Sequence, residues 1–177
     1  QPLALGGMEP DNVSWWTWIS GDGTKVGLAS ASDQLVAGDG PAVDIYIWDR
    51  DAGTYLRQPD GYDGQAPNAS TRTGVLDEDG STFVLSSDAS NLVPGDTNAA
   101  QDTFVWDVNG GTYRRQPNGI DGKEPDGHSS VMGVSDDGNV VLLETQASNL
   151  VDADTNERED LVVWDLVSDT YQPVPVG

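Results

Sequence analysis

Apolar and polar residues alternate along this chain in short runs, and no stretch sustains the 3.6-residue period of an amphipathic helix. The second unit shows the pattern most clearly. Extended segments are predicted near Ser70–Leu76, Thr82–Ser87, Thr103–Val108 and Thr112–Gln116. Asp79-Gly80 and Asn109-Gly110-Gly111 lie between them and carry the chemistry of hairpin turns. Four short strands joined by turns make an antiparallel sheet of four strands.

The same pattern occurs three times. Trp48-Asp49, Trp106-Asp107 and Trp164-Asp165 stand 58 residues apart, as do Tyr55, Tyr113 and Tyr171. Ala89-Ser-Asn-Leu-Val93 returns as Ala147-Ser-Asn-Leu-Val151, and Asp96-Thr-Asn98 as Asp154-Thr-Asn156. The first unit is more diverged, and its spacing locates a one-residue deletion between Asp39 and Asp44. Gln1-Pro2 aligns with Gln116-Pro117, and Tyr171 to Gly177 aligns with Tyr113 to Gly119. The chain therefore holds almost three whole units, with blades expected over 12–58, 69–116 and 128–177 of a single repeat domain. A start at Gln1 rather than Met is read as processing, trimming, or numbering from within a longer protein.

Asp-Gly, a β-run ending in Ser, Ala-Ser-Asn-Leu-Val-x-x-Asp-Thr-Asn, Asp-x-Phe-Val-Trp-Asp and Gly-Thr-Tyr follow in that order. Together they resemble the TolB-like, WD-repeat-like propeller family of bacterial envelope and secreted proteins. The resemblance covers nearly the whole chain. It implies an all-β fold of three four-stranded antiparallel propeller blades, for which half of a six-bladed ring is one of the arrangements open. It implies little about activity, since propellers host many functions.

Thirty acidic residues oppose eight basic ones, a net charge of −22. That field repels phosphate backbones and anionic lipid, so nucleic acid is excluded as a partner and cations, basic proteins or neutral ligands fit better. No apolar run approaches the ~20 residues of a membrane helix, so no membrane insertion is expected. The chain has no cysteine, which removes disulfides, zinc–thiolate sites and thiol catalysis.

The chemistry is expected in the loop before each Trp-Asp. Asp96, Asn98 and Asp102 repeat as Asp154, Asn156 and Asp160, with Asp39 and Asp44 a weaker counterpart in the first unit. Oxygen ligands at such spacing can converge on Ca²⁺. The same residues also make Asx-turns with no metal. The inter-blade loops, with Asp60, Asp63, Asp121, Glu124 and Asp126, emerge on the same side and make one acidic, long-looped face. That face is either a binding surface or a solvated rim.

Trp48, Trp106 and Trp164 sit between apolar neighbours and are expected in the packing between blades rather than on a sugar platform. Trp15, Trp16 and Trp18 occur only in the first unit and are candidates for a ligand or interface role, or for idiosyncratic core. His128 is the single histidine; Ser129 and Ser130 adjoin it, yet no nucleophile elbow surrounds them. Asn12-Val-Ser14 and Asn68-Ala-Ser70 match the N-glycosylation pattern.

The expectation is a non-enzymatic, Ca²⁺-stabilised binding scaffold, extracellular or in the bacterial envelope. Three blades are few for a ring, so a dimer completing six blades, the remainder of a longer propeller, or a head-to-tail filament should supply the rest. The propeller portion of a larger enzyme such as a serine peptidase is one alternative function, and a carbohydrate-binding lectin is another.

Overall fold

The computed structural model describes residues 11–175 apart from 33, 38–42, 153 and 155–157, and it leaves out the side chains of residues 15–17 and 72. Twelve strands form three four-stranded antiparallel sheets among the described residues. The first holds β1 (Ser14–Ile19), β2 (Lys25–Ser30), β3 (Asp44–Asp49) and β4 (Thr54–Arg57). The second holds β5 (Thr71–Leu76), β6 (Thr82–Ser87), β7 (Asp102–Asp107) and β8 (Thr112–Arg115). The third holds β9 (Ser129–Val134), β10 (Val140–Thr145), β11 (Asp160–Asp165) and β12 (Thr170–Pro173). In each, sequential strands are spatial neighbours, the connectivity of a propeller blade.

The turns repeat with the strands. Gly23, Gly80 and Gly138 take φ of +70°, +68° and +69° between the first two strands of each blade. The preceding aspartates, Asp22, Asp79 and Asp137, each accept the backbone N–H two residues on. The aspartate of each Trp-Asp pair does the same at the far hairpin. Asp49, Asp107 and Asp165 each accept two backbone N–H groups of the turn that follows. Trp-Asp is thus an anchor, fully buried at Trp106 and Trp164 and half-buried at Trp48, followed by a turn cap. The first strand of every blade carries a register shift, between Trp15 and Thr17, Thr71 and Thr73, and at Leu142/Leu143 of its partner. A bulge there turns side chains of the inner strand away from strict alternation.

The sheets stack through their faces, β1 against β5 and β5, β6 and β7 against β9. Ile45 and Ile47 of the first blade share a buried cluster with Phe83, Phe104 and Trp106 of the second. Val84 of the second blade shares one with Val141, Val162 and Trp164 of the third. Trp106 and Trp164 are fully buried in these joints, each on the face turned to the preceding blade. Trp18 packs edge-on to Phe83, centroids 5.4 Å apart, in the first joint. The core therefore lies between blades as much as within them.

Candidate functional site on the long-loop edge

The β6–β7 loop and the linker from β8 to β9 meet on one edge. Asp96 and Asp102, expected to ligate a cation, turn their carboxylates to the same point, and Arg115 of β8 fills it. Its Nη1 lies 3.5 Å from Asp96, 3.6 Å from Asp102, and in contact with Glu124 of the linker. Asn98 donates to both oxygens of Asp102, at 3.3 and 3.2 Å, and to the Pro125 carbonyl at 3.1 Å. Gln116 adds a donor to Asp102 at 3.3 Å and another to Ser129 of the next blade at 3.0 Å. Thr97 donates its backbone N–H to Glu124 at 2.9 Å and its hydroxyl to the same carboxylate. The cation within this acid cluster is a guanidinium. Among the described residues no three of His, Cys, Asp or Glu are grouped to hold a metal.

Burial sets the electrostatics. It pushes Asp102 up to about 7, helped by the negative charge of Asp96 and opposed by Arg115 and Asn98. Burial also raises Asp96. Glu124 goes the other way. Against a push from burial, hydrogen bonds from Thr97 and Arg115 bring it down to about 2. Asp102 is the group of this cluster that changes charge near neutrality.

The first blade repeats the arrangement. Arg57 Nε lies 3.1 Å from the buried Asp44, and Gln58 donates to the same carboxylate at 3.1 Å. Asp39 lies outside the described residues. In the third blade Asp154 and Asp160 are half-buried and Asn156 lies outside the described residues. Pro173 and Val174 stand where the other blades have Arg-Gln, so that position supplies no guanidinium. The signal for the pair was available in the chain: an arginine recurs 13 residues after Asp44 and after Asp102.

A second device went unread in the sequence. Asn91, from the Ala-Ser-Asn-Leu-Val motif, clamps the linker that enters its blade. Its side chain accepts the Asn68 N–H at 2.9 Å and donates to the Ala66 carbonyl at 3.0 Å, and its carbonyl accepts the Tyr62 N–H at 2.9 Å. Asn149 repeats each bond with Asp126, Glu124 and Ile120, at 3.2, 2.9 and 2.8 Å. A Cβ on Gly61 or Gly119 would meet the carbonyl oxygen of Asn91 or Asn149 at 2.1 or 2.4 Å, so the linker can approach this closely only at glycine. Asn68 is part of the same clamp, accepting the Ser90 N–H at 3.0 Å.

The other candidates lie apart. Trp18 is in the first joint, and the side chains of Trp15 and Trp16 are outside the described residues. His128 Nδ1 accepts the Gln101 N–H at 2.8 Å. Its neighbour Ser129 is buried in bonds with Thr145 and Gln116.

The architecture has known counterparts. The chain aligns with TolB from Acinetobacter baumannii at a TM-score of 0.55 and 12% identity, covering 93% of this chain and 33% of that one. It aligns with the β-propeller domain of the Trilobed protease from Pyrococcus furiosus at 0.51 and 9%, covering 92% and 43%. Oligogalacturonate lyase from Vibrio parahaemolyticus gives 0.53 and 10%, covering 92% and 40%. The fold is that of TolB-like propeller blades. The chain spans well under half the length of these structures, and proteins so differently named have the fold alone in common with it. No protein-family model matches the chain, and no curated protein matches it in sequence.

Proposed function

We propose that these blades form a non-enzymatic binding scaffold, secreted or held at the cell envelope, which presents its long-loop edge to a basic partner. The observation that supports this reading is the clamping of that edge. Asn91 and Asn149 tie each linker to the following blade, so the exposed carboxylates of Asp60, Asp63, Asp121 and Asp126 stand on a built surface. A pre-organised carboxylate surface on a chain of charge −22 favours fast, salt-sensitive association with cationic protein.

The test uses an oligolysine peptide as probe. Asp60→Asn, Asp152→Asn and Glu159→Gln together remove three charges from the long-loop edge. Asp51→Asn, Asp79→Asn and Asp136→Asn remove three from the tight-turn edge. The loop variant is expected to weaken binding by about fivefold or more and to flatten its salt dependence, with the turn variant near wild type. Equal losses overturn the reading.

Likeness to the propeller domain of a protease and to a lyase favours a second reading, in which these blades belong to a longer enzyme. Either reading leaves a place for another blade. Val84 and Val105 pack on the third blade, and their counterparts Leu142 and Val163 are partly exposed on its outer face. A second copy or further blades of a longer chain fit that face. Light scattering on the 177-residue chain separates the two, since only the first gives a dimer.

A further inference from the structure

A groove lies at the perimeter of each blade joint. In the first, Leu92 and Val93 make the floor, Tyr113 the wall and Tyr62 the lip, around about 240 Å³. Adding 58 to each number gives the second, of about 440 Å³, with floor Leu150 and Val151, wall Tyr171 and lip Ile120. The lips are exposed by 61% and 60%, although both are large apolar side chains on linkers otherwise rich in Asp, Gly and Pro. A lone exposed apolar side chain needs no explanation, but two at one repeat position, each overhanging an apolar floor, mark a recurring contact.

Two further features define the occupant. Asp60, which also holds Arg57, lines the first groove, and Asp152 and Asp169, the latter paired with Arg114, line the second; among the described residues neither lining itself includes a lysine or arginine. Each groove also flanks the start of an outermost strand, at Thr112-Tyr113 and Thr170-Tyr171, whose outer side has no sheet partner among the described residues. A free strand edge beside an apolar slot takes an extended chain, with backbone bonding along the edge and one side chain in the slot.

We propose that these paired grooves bind an extended segment of a partner protein in which apolar side chains alternate with lysine or arginine, one apolar side chain seated per groove. The proposal deepens the acidic-edge reading and rests on it. It names side-chain pattern as well as charge, and two linked grooves strengthen binding beyond one.

Soluble peptides of about ten residues, alternating Lys with Leu, Lys with Ser, or Glu with Leu, are the probes. Binding is followed by calorimetry and by amide NMR shifts. The Lys–Leu peptide is expected to bind about tenfold tighter than Lys–Ser and to shift Tyr62, Val93, Ile120 and Val151. Tyr62→Ser with Ile120→Ser should abolish that preference without changing the melting temperature, because both side chains are exposed. Equal binding of Lys–Leu and Lys–Ser overturns the grooves and leaves the acidic-edge reading standing. Binding of neither cationic peptide overturns both. Equal binding of Glu–Leu overturns the assigned charge.

Discussion

Tyr171 donates its hydroxyl to the carbonyl of Pro117 in the preceding blade's trailing segment, at 2.9 Å, and Tyr113 bonds Pro59 one blade earlier at 3.3 Å. The tyrosine of Gly-Thr-Tyr is thus a polar rivet across each joint. Burial pushes both phenols well above their ordinary range. Tyr113→Phe and Tyr171→Phe keep the ring and leave a carbonyl unpaired, so each should cost about 1 kcal/mol in denaturant unfolding. Tyr62→Phe, at an exposed lip, serves as the control and should cost nothing measurable.

The Asn149 clamp makes a sharper demand. Asn149→Ala removes two side-chain donors and one acceptor and should cost about 2–3 kcal/mol. Hydrogen exchange should show faster amide exchange in residues 117–128, with β10 and β11 protected as before. Asn149→Asp keeps the size but offers a carboxylate to the Glu124 carbonyl and to Asp121, which now accept 2.9 and 3.2 Å bonds. It should therefore be the worse variant at neutral pH. An Asp variant as stable as wild type would show that the Asn149 donors do not hold the linker.

These two devices also show how far the chain could be read in advance. The 58-residue ruler located every strand of the second blade to within one or two residues, because hydrophobic alternation and Asp-Gly turns are local signals. It placed Trp106 and Trp164 in the joints for the same reason, whereas Trp48 is half-buried against Leu28, Leu35 and Tyr46 of its own blade. The clamp was not read, because it joins a linker to a loop whose meeting depends on how one blade follows the next, whereas the Arg115 pair lies on neighbouring strands of one blade and its 13-residue recurrence went unused. Asn91 looks like one more loop polar residue until Gly61 is seen against its carbonyl.

Asp102 sets a pH dependence. Its carboxyl titrates near 7 in the folded chain, against an ordinary value of 3.8, so between about pH 4 and pH 7 the native state holds a proton that the unfolded state has lost. Stability from this group is full below that window and falls as pH rises through it. Asp102→Asn cannot ionise. Its effect on unfolding free energy should move in the stabilising direction by roughly 2 kcal/mol between pH 5 and pH 8. The check is denaturant unfolding at both pH values, and a pH-independent difference would contradict a raised Asp102.

Calcium bears on the loops differently once Arg115 is placed. A divalent ion at Asp96 and Asp102 would have to displace a guanidinium held by both and by Glu124. The first loop has Arg57 on Asp44 in the same way. Pro173 stands in that place in the third blade, whose loop carries Arg158 instead. We propose that Arg115 and Arg57 keep calcium from the first two loops, so that calcium stabilisation falls to the third, through Asp154, Asn156 and Asp160. Chelation should then lower the melting temperature, Asp160→Ala should abolish that sensitivity, and Asp96→Ala should leave it intact. Arg115→Gln should cost about 3 kcal/mol with or without the metal, since it strands buried carboxylates. Coincident melts in chelator and in excess calcium would refute metal stabilisation. Loss of the sensitivity in Asp96→Ala would move the ion to the second blade and make Arg115 its competitor.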